Sequence, residues 1–581
     1  MNTWQRPTGT DGDVTLIRAS NTAVRGDPRD CPTAWSSKVR PFLMPDPAME
    51  RRTKPLEDFA FGPFMACLDL IEHQNWPLDR VFAELWRTQG RLGAGRTPAH
   101  SVHLAWTARA VEGYLEKRRA QQTESENGSG PRTEPLKAAE WVVLHQRPDS
   151  EPDHRGATRY ELTAWGRRYV SADGLTRELW LPSLGSAKED RPEAEKAALA
   201  FVMATGAVCA RPKYGELYEP LENWPQTPPT RVRIFEFGCA AGDFRPLLDW
   251  DQETVRRHHR KDADPAFARA VEGTGRVPGS SCIGCKAISG CSTLKRTSDL
   301  WGATPPAVRQ PRRSLSVSDL RAYNECPAKY HLTRRLHLKT TLPESDALIR
   351  GRAVDARLDE QHLLRPERGC RAFAGPQDPS HWSSGGFDLT GDVAREATSM
   401  LAQHSATCPL DGLSTAETVR VQHQLASYIP ELDIVAVAKP DLAYTRRGGW
   451  ILRESKTAAR QLWEGRSLMR GYPQLALNVL MLAAGVLDGN LKRSRVELEL
   501  LHTDDTTLED LDPSRPAVVD EAREVIADLA EPVLRDVTFE PTADRHCHTC
   551  EARTWCGPGT AYIEANPITS PSAQYADRDR N

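Results

Sequence analysis

The 581-residue sequence lacks the features that mark a membrane, secreted or strongly basic protein. It has no run of about 18 or more apolar residues, so a membrane role is not expected. Its N-terminus, MNTWQRPTGTDGDV, has no apolar stretch of the kind a secretory signal needs, so we expect a cytoplasmic protein with reduced cysteines. Lys and Arg (76) nearly balance Asp and Glu (79), so any contact with a polyanion must come from local patches.

Cysteine is present in a repeated pattern. Two triplets have the spacing C-x2-C-x5-C, and each follows, more than two hundred residues downstream, a Cys-Pro pair with an aromatic residue four positions after the cysteine. The first set is Cys31, Cys282, Cys285 and Cys291, and the second is Cys326, Cys547, Cys550 and Cys556. The repeat predicts two diverged copies of one domain.

The proline-rich stretch around residues 303–313 has no apolar periodicity and suits a linker between the two copies. We therefore place the boundary near residue 305, with one domain at 1–304 and another at 305–565. The polar tail, 566–581, is expected to be disordered.

Three thiolates within ten residues can bind one side of a metal centre, and the distant fourth cysteine can complete it. From cysteine count alone a structural zinc site is the leading interpretation. The other five cysteines, including Cys67 and Cys239, are expected to be buried apolar side chains.

The segment DIVAVAKPDLAYTRRGGWILRESKT, residues 433–457, has the pattern of a β-hairpin with its turn between Arg447 and Gly448. That register places Asp441 directly opposite Glu454, close enough for both carboxylates to bind one divalent ion. Lys456 projects to the same face as Glu454 because the two residues are two apart on a strand.

These groups suit phosphodiester hydrolysis. A bound Mg²⁺ would polarise the phosphate and activate water, while Lys456 would orient that water or stabilise negative charge. The carbonyl of Ser455 is a further candidate ligand. A solvated surface pair of Glu454 and Lys456 is the structural alternative.

The pattern Pro440-Asp441 followed by Glu454-x-Lys456 resembles the signature of the PD-(D/E)xK nuclease superfamily. The segment SLSVSDLRAYNECPAKYHL, with the C-terminal cysteine triplet, is similar to the iron-sulfur members of the RecB and AddB type and to CRISPR adaptation nucleases. The resemblance implies two tandem restriction-endonuclease-like domains of α/β class, each with a mixed central sheet flanked by helices and closed by a four-cysteine metal centre. It further implies a [4Fe-4S] cluster at Cys326, Cys547, Cys550 and Cys556.

The same resemblance implies a second cluster at the first cysteine set and assigns Gln474 and Tyr472 to the catalytic or DNA-contacting shell. An ordinary helix start is the alternative for Gln474 and Tyr472. The family usually has a metal-binding histidine in a G-x3-H pattern, whereas this sequence has Gly351 followed by Asp355. Aspartate is also a Mg²⁺ ligand, so Asp355 is expected to keep the role.

The N-terminal copy has no carboxylate-x-lysine pattern where its hairpin is expected, between Glu161 and Leu199. Pro182 and Leu184 stand roughly where Glu454 and Lys456 would be. We therefore expect a degenerate copy that serves architecture or DNA handling.

Two functions follow as expectations. The first is a Mg²⁺- or Mn²⁺-dependent DNA nuclease, exonucleolytic or single-strand-selective, in DNA repair, recombination or defence. The second is an inactive iron-sulfur or zinc platform that binds DNA and recruits a helicase or another nuclease. The sequence has no G-x4-G-K-[ST] loop, so a helicase would be a separate partner.

Overall fold

The computed structural model describes residues 4–26, 30–45, 54–93, 95, 97–124, 130–148, 151–213, 215–222, 224, 227–364, 369–372, 375–458, 465 and 467–567. The tail predicted at 566–581 lies outside these residues apart from its first two. Among the described residues, no helix combines the length and the apolar character needed to cross a membrane.

The chain before residue 305 contains both helices and strands. Its strands are β1 Thr10–Gly12, β2 Leu16–Ser20, β3 Leu43–Pro45, β4 Thr133–Pro135, β5 Ala139–Gln146, β6 Arg159–Thr163, β7 Arg167–Ser171, β8 Thr176–Ser183, β9 Ala207–Ala210, β10 Arg231–Gly238, β11 Phe244–Asp251 and β12 Lys295–Arg296. Its α-helices are α1 Pro32–Lys38, α2 Gly62–Gln74, α3 Leu78–Arg87, α4 Ser101–Glu124, α5 Glu193–Thr205, α6 Gln252–His258 and α7 Asp264–Glu272.

The chain after residue 305 is also mixed α/β. Its strands are β13 Arg313–Leu315, β14 His381–Ser384, β15 Phe387–Thr390, β16 Val419–Val421, β17 Leu425–Ile429, β18 Ile434–Ala438, β19 Leu442–Arg446, β20 Gly449–Thr457, β21 Arg495–Leu501 and β22 Thr506–Leu511. Its α-helices are α8 Val317–Glu325, α9 Pro327–Lys329, α10 Asp346–Leu364, α11 Gly391–Thr407, α12 Leu468–Gly471, α13 Pro473–Ala483, α14 Pro516–Arg535 and α15 Gly557–Ala565.

Two five-stranded sheets have the same strand order and directions. The first runs β4-β7-β8-β10-β11 and the second β16-β19-β20-β21-β22. In each sheet the first three strands are antiparallel neighbours, the third and fourth are parallel, and the fifth is antiparallel. Both halves of the chain therefore contain a mixed sheet built on a central hairpin.

The two halves are joined by pairing and packing. Strand β12, from before the predicted boundary, pairs in parallel with β17 in the four-stranded sheet β12-β17-β18-β13. One apolar core combines residues of α2 and α4 with Leu332 and Trp555 from the C-terminal half. Residues from both sides of the predicted boundary near residue 305 therefore share one sheet and one apolar core.

Strand β20 has two differently used faces. Trp450 and Leu452 face the main apolar core, to which α13 and α14 contribute. Ile451 faces a separate cluster that contains Cys370 and Cys408. Because side chains alternate along a strand, Glu454 and Lys456 share the first face and Ser455 has the opposite one.

The hairpin of β19 and β20 has the predicted register, with Leu442 paired to Arg453 and Arg446 to Gly449. Its two-residue turn has positive φ at both positions, 52° at Arg447 and 78° at Gly448. Such a turn matches the twist of the flanking strands, and glycine at its second position avoids steric strain. The predicted hairpin segment 433–457 also included the apolar run Ile434–Ala438, but this run forms the separate strand β18.

Candidate active site

Three of the predicted catalytic side chains meet at the end of the β19–β20 hairpin. The Nζ atom of Lys456 lies 3.1 Å from Oδ2 of Asp441 and 3.3 Å from Oε2 of Glu454. Asp441 immediately precedes β19 and faces Glu454 in the register of the hairpin. The structure therefore brings two carboxylates and one ammonium group into a single site.

Backbone groups of Ser455 hold the site together. Its N–H donates to Oδ2 of Asp441 at 2.9 Å, and its carbonyl accepts from Nζ of Lys456 at 3.0 Å. The carbonyl that the sequence suggests as a candidate metal ligand therefore lies beside the same charged groups.

Helix α10 supplies further carboxylates. Burial and the negative charge of Asp441 raise the pKa of Asp355 to about 6. Burial and the charge of Asp355 raise the pKa of Asp359 to about 7. A Cβ atom at Gly351 would lie 3.0 Å from Oγ1 of Thr457, so glycine allows α10 to approach the end of β20 closely.

Glu454 and Lys456 respond to this crowding in different ways. Burial and the charge of Asp441 raise the pKa of Glu454 to about 7, although Lys456 acts against them. Burial disfavours the charged lysine, but the carboxylates of Asp441 and Glu454 outweigh it and raise the pKa of Lys456. Excess negative charge in a partly buried site is what a bound divalent cation would relieve.

Helix α13 lies against the same face of the sheet. The side-chain amide of Asn478 donates to Oε1 of Glu454 at 3.0 Å. Gln474 is half-buried and precedes Asn478 by four residues, so both lie on one side of the helix. Tyr472 occupies the cap position before Pro473 and packs against the main core.

Sequence reasoning missed three polar residues of the site: Asp359, Gln422 and Asn478. The side-chain amide of Gln422 lies 3.2 Å from Oδ1 of Asp441 and 3.3 Å from Oδ1 of Asp359. Asn478 interrupts an apolar helical run, and Asp359 follows Asp355 by one helical turn. The sequence therefore contained a pattern that pointed to Asn478 and to Asp359, but no pattern that pointed to Gln422.

The four residues of the second cysteine set lie close together, and Cys326, Cys550 and Cys556 contact the shared apolar core. Gly559 lies against two of its sulfur atoms, since a Cβ there would be 3.3 Å from Sγ of Cys556 and 3.6 Å from Sγ of Cys547. Cys326 interacts electrostatically with the other three cysteines, and its Sγ accepts the backbone N–H of Thr542 at 3.4 Å. Backbone N–H groups directed at sulfur suit thiolates that bind a metal cluster.

The first cysteine set has a closely similar arrangement. Its four members, Cys31, Cys282, Cys285 and Cys291, line one small cavity. Backbone N–H groups of Val277 and Gly279 donate to Sγ of Cys31 and Cys282, at 3.5 and 3.4 Å. Each triplet also contains two short 3₁₀ helices, Ser280–Gly284 and Ile288–Gly290 in the first and Arg545–Thr549 and Arg553–Trp555 in the second.

The N-terminal half has a hairpin where the sequence placed it, formed by β7 and β8. Pro182 is buried at the end of β8, and Leu184 packs against the shared apolar core. The buried carboxylates of Glu178 and Glu236 in this sheet are instead paired with arginine, as in the ion pair of Glu236 with Arg191 at 2.8 Å. The described strands of this sheet therefore provide no equivalent of the Glu454 and Lys456 pair.

Comparison with known families agrees with the geometry of the C-terminal half. Residues 314–557 match the model of the PD-(D/E)XK nuclease superfamily, whose members are typically metal-dependent nucleases. The matched range contains Asp355, Asp441, Glu454 and Lys456, and the mixed α/β fold is consistent with that superfamily. A search of curated proteins gave no match.

The raised pKa values of Asp355, Asp359 and Glu454 predict pH-dependent cation binding. Between pH 6 and 7 these acids hold protons that a divalent cation must displace, so affinity should rise with pH across this window. The increase should approach about tenfold per pH unit for each proton released. Titration calorimetry of the protein with Mg²⁺ in two buffers of different ionisation enthalpy measures the affinity and the number of protons released. Affinity that stays constant from pH 6 to 8 would contradict the prediction.

Proposed function

We propose that the protein is a metal-dependent deoxyribonuclease that hydrolyses phosphodiester bonds. The observation that carries the proposal is the convergence of Asp441, Glu454 and Lys456, with the lysine side chain 38% exposed and thus open to a ligand. The match of this half to a nuclease superfamily supports the same reaction.

Asp355, Asp441 and Glu454, with the carbonyl of Ser455, are the groups that would hold Mg²⁺ or Mn²⁺. Oxygen atoms of this kind are the ligands that both ions prefer, and the raised pKa values of Asp355 and Glu454 fit a site with more negative than positive charge. When bound, the ion would polarise the phosphate and lower the pKa of an attacking water.

Lys456 is proposed to orient that water or to stabilise charge that develops on the phosphate. Its ammonium is held by two carboxylates and one carbonyl, so its position is fixed before substrate arrives. Asn478 is a positioning residue, because its amide holds one oxygen of Glu454 and leaves the other facing Lys456. Gln474 and Tyr472 are proposed to contact DNA from the start of α13.

A cleft of about 1770 Å³ offers a path for the nucleic acid. It is lined by Trp165, Pro182 and Leu184 of the N-terminal half and by Arg352 on α10, three residues before Asp355. Lys188 and Lys339 are exposed along it, and its lining contains more Lys and Arg than Asp and Glu. Such a surface suits a phosphate backbone.

The second cysteine set, Cys326, Cys547, Cys550 and Cys556, is proposed to hold a [4Fe-4S] cluster, with zinc as the alternative. The fit rests on the convergence of the four thiols, the N–H donor on Cys326 and the glycine that leaves room beside two sulfurs. A second cluster is proposed at the first set on the same kind of observation.

We further propose that the two halves are tandem copies and that the N-terminal one is degenerate. Support comes from the shared strand order of the two sheets and the paired 3₁₀ helices of the cysteine triplets. The N-terminal copy would serve architecture and line the DNA path.

By family analogy the enzyme would be exonucleolytic or single-strand-selective and would act in DNA repair, recombination or defence beside a separate helicase. The rival proposal is an inactive DNA platform, which Asp355 in the usual histidine position favours. The two proposals make different predictions: the nuclease shortens DNA, whereas the inactive platform binds DNA without shortening it.

Substituting the site should abolish hydrolysis. Asp441→Ala, Glu454→Ala and Lys456→Ala should each lower the rate about 100-fold or more, because each removes a group that binds the ion or stabilises charge. End-labelled single- and double-stranded DNA with Mg²⁺ or Mn²⁺ provides the assay.

Glu509→Ala is the matched control, since Glu509 is an exposed carboxylate on β22, and circular dichroism should show that all variants are folded. Wild-type rates in all three site variants would refute the proposed site. DNA that is bound with Mg²⁺-independent affinity and never shortened would favour the inactive platform.

Gly559→Leu should remove the cluster of the second cysteine set, because the new side chain would enter the space beside Cys547 and Cys556. Protein purified without oxygen should be brown, and the variant should lose up to four iron atoms per chain by metal analysis. Gly557→Leu is the control, since a Cβ there meets nothing within 4 Å. Colourless wild-type protein whose zinc content falls by one ion per chain in Gly559→Leu would support the zinc alternative instead.

Reversing charge in the cleft should weaken DNA binding without affecting cation binding. Lys188→Glu with Lys339→Glu should reduce affinity for all sequences alike and lower the salt slope by about 1 for each phosphate that the protein no longer neutralises. Lys492→Glu, an exposed residue that does not line the cleft, is the control. An unchanged salt slope in the double variant would exclude this path.

A further inference from the structure

A buried group of two histidines and two cysteines lies in the C-terminal half, apart from both cysteine sets. His362 is near the end of α10, Cys370 begins a 3₁₀ helix, His404 is near the end of α11, and Cys408 follows it. All four residues are buried, and their ligand atoms lie within 4.8 Å of one another. We propose that His362, Cys370, His404 and Cys408 form a structural zinc site.

The distances suit a tetrahedral ion. The two histidine Nε2 atoms are 3.2 Å apart, and Sγ of Cys408 is 3.8 Å from Nε2 of His362. Zinc bonds of about 2.0 Å to nitrogen and 2.3 Å to sulfur place neighbouring ligand atoms about 3.3 to 3.8 Å apart in a tetrahedron. Two imidazoles and two thiolates are also a common ligand set of structural zinc sites.

The hydrogen bonds of His404 support the assignment. Its Nδ1 lies 3.0 and 2.9 Å from the two carboxylate oxygens of the buried residue Glu499. A carboxylate on one ring nitrogen fixes the tautomer and directs the other nitrogen to a metal, an arrangement typical of zinc sites. Here that other nitrogen faces His362.

The metal-free explanations of the group are a hydrogen-bond network and a disulfide. A hydrogen-bond network could join the four groups, since Cys408 is within hydrogen-bond reach of Cys370 and of both histidines, but such a network does not require tetrahedral spacing of the four ligand atoms. A disulfide between Cys370 and Cys408 could account for the sulfurs, but the structure has both as free thiols. One zinc ion accounts for all four residues.

The proposed zinc would anchor the helix that bears Asp355. His362 is seven residues, about two helical turns, after Asp355 on α10, so fixing the end of α10 limits its movement at the active site. Glu499 also accepts from Oγ of Ser455 at 2.7 Å, and the Ser455 N–H donates to Asp441. The zinc site thus lies behind the sheet that carries the carboxylates.

Metal analysis of the full-length protein tests the proposal independently of nuclease activity. Cys370→Ala and Cys408→Ala should each lose one zinc per chain relative to wild type. Cys209→Ala, which removes a buried cysteine outside the group, should retain it. His362→Ala should lose the ion, whereas His362→Cys should keep it because the ligand number is restored.

X-ray absorption at the zinc edge of the wild-type protein provides a readout that does not depend on folding of a variant. With iron-sulfur clusters at the two four-cysteine sets, the expected zinc shell is two sulfurs at about 2.3 Å and two nitrogens at about 2.0 Å; zinc at those sets would add sulfur to the average, and nitrogen would still be present. The proposal is overturned by wild-type protein without zinc, by a shell of four sulfurs alone, by zinc content unchanged in both cysteine variants, or by a Cys370–Cys408 disulfide in mass spectrometry.

Discussion

Two carboxylates held opposite each other across a partly buried hairpin are the constraint on which the C-terminal half depends. Asp441 and Glu454 repel each other, and Asp355 adds a third negative group. Burial and the negative charge of Asp441 raise the pKa values of Asp355 and Glu454. Lys456 offsets part of this charge. The remaining imbalance favours a divalent cation, so the electrostatic stress of the free protein and its proposed chemistry have one origin.

Ser455 connects the two faces of the sheet. Its backbone contacts Asp441 and Lys456 on one side, while its hydroxyl donates to Glu499 on the other. Glu499 is fully buried and also forms ion pairs with His404 and Arg453. Because these partners fix the carboxylate of Glu499, it cannot move without disturbing β20. The contacts of Glu499 on one face of the sheet therefore stabilise the positions of Asp441 and Lys456 on the other face.

Local sequence patterns predicted the hairpin and the grouping of the cysteines. Contacts between residues far apart in the sequence could not be predicted in this way. The Arg447-Gly448 turn fixes the register that pairs residue 441 with 454, because a two-residue turn leaves no freedom in strand pairing. Asn478 and Gln422 reach the site only through the packing of distant elements. Cys370 and Cys408 were expected to be simply buried, as they are, but their meeting with His362 and His404 depends on how α10 and α11 pack.

The same sheet topology has a different charge balance in the two halves. In the N-terminal sheet Glu178 pairs with Arg118 and Arg233, and Glu236 with Arg191, so each of these buried carboxylates already has a cationic partner. A buried carboxylate with such partners needs no added cation, whereas removing one partner would leave an unpaired charge. The N-terminal sheet is thus electrostatically complete as a scaffold. In the C-terminal half Asp355, Asp441 and Glu454 share Lys456 as their cationic neighbour, and this excess of carboxylate is why we propose a cation site there and not in the N-terminal sheet.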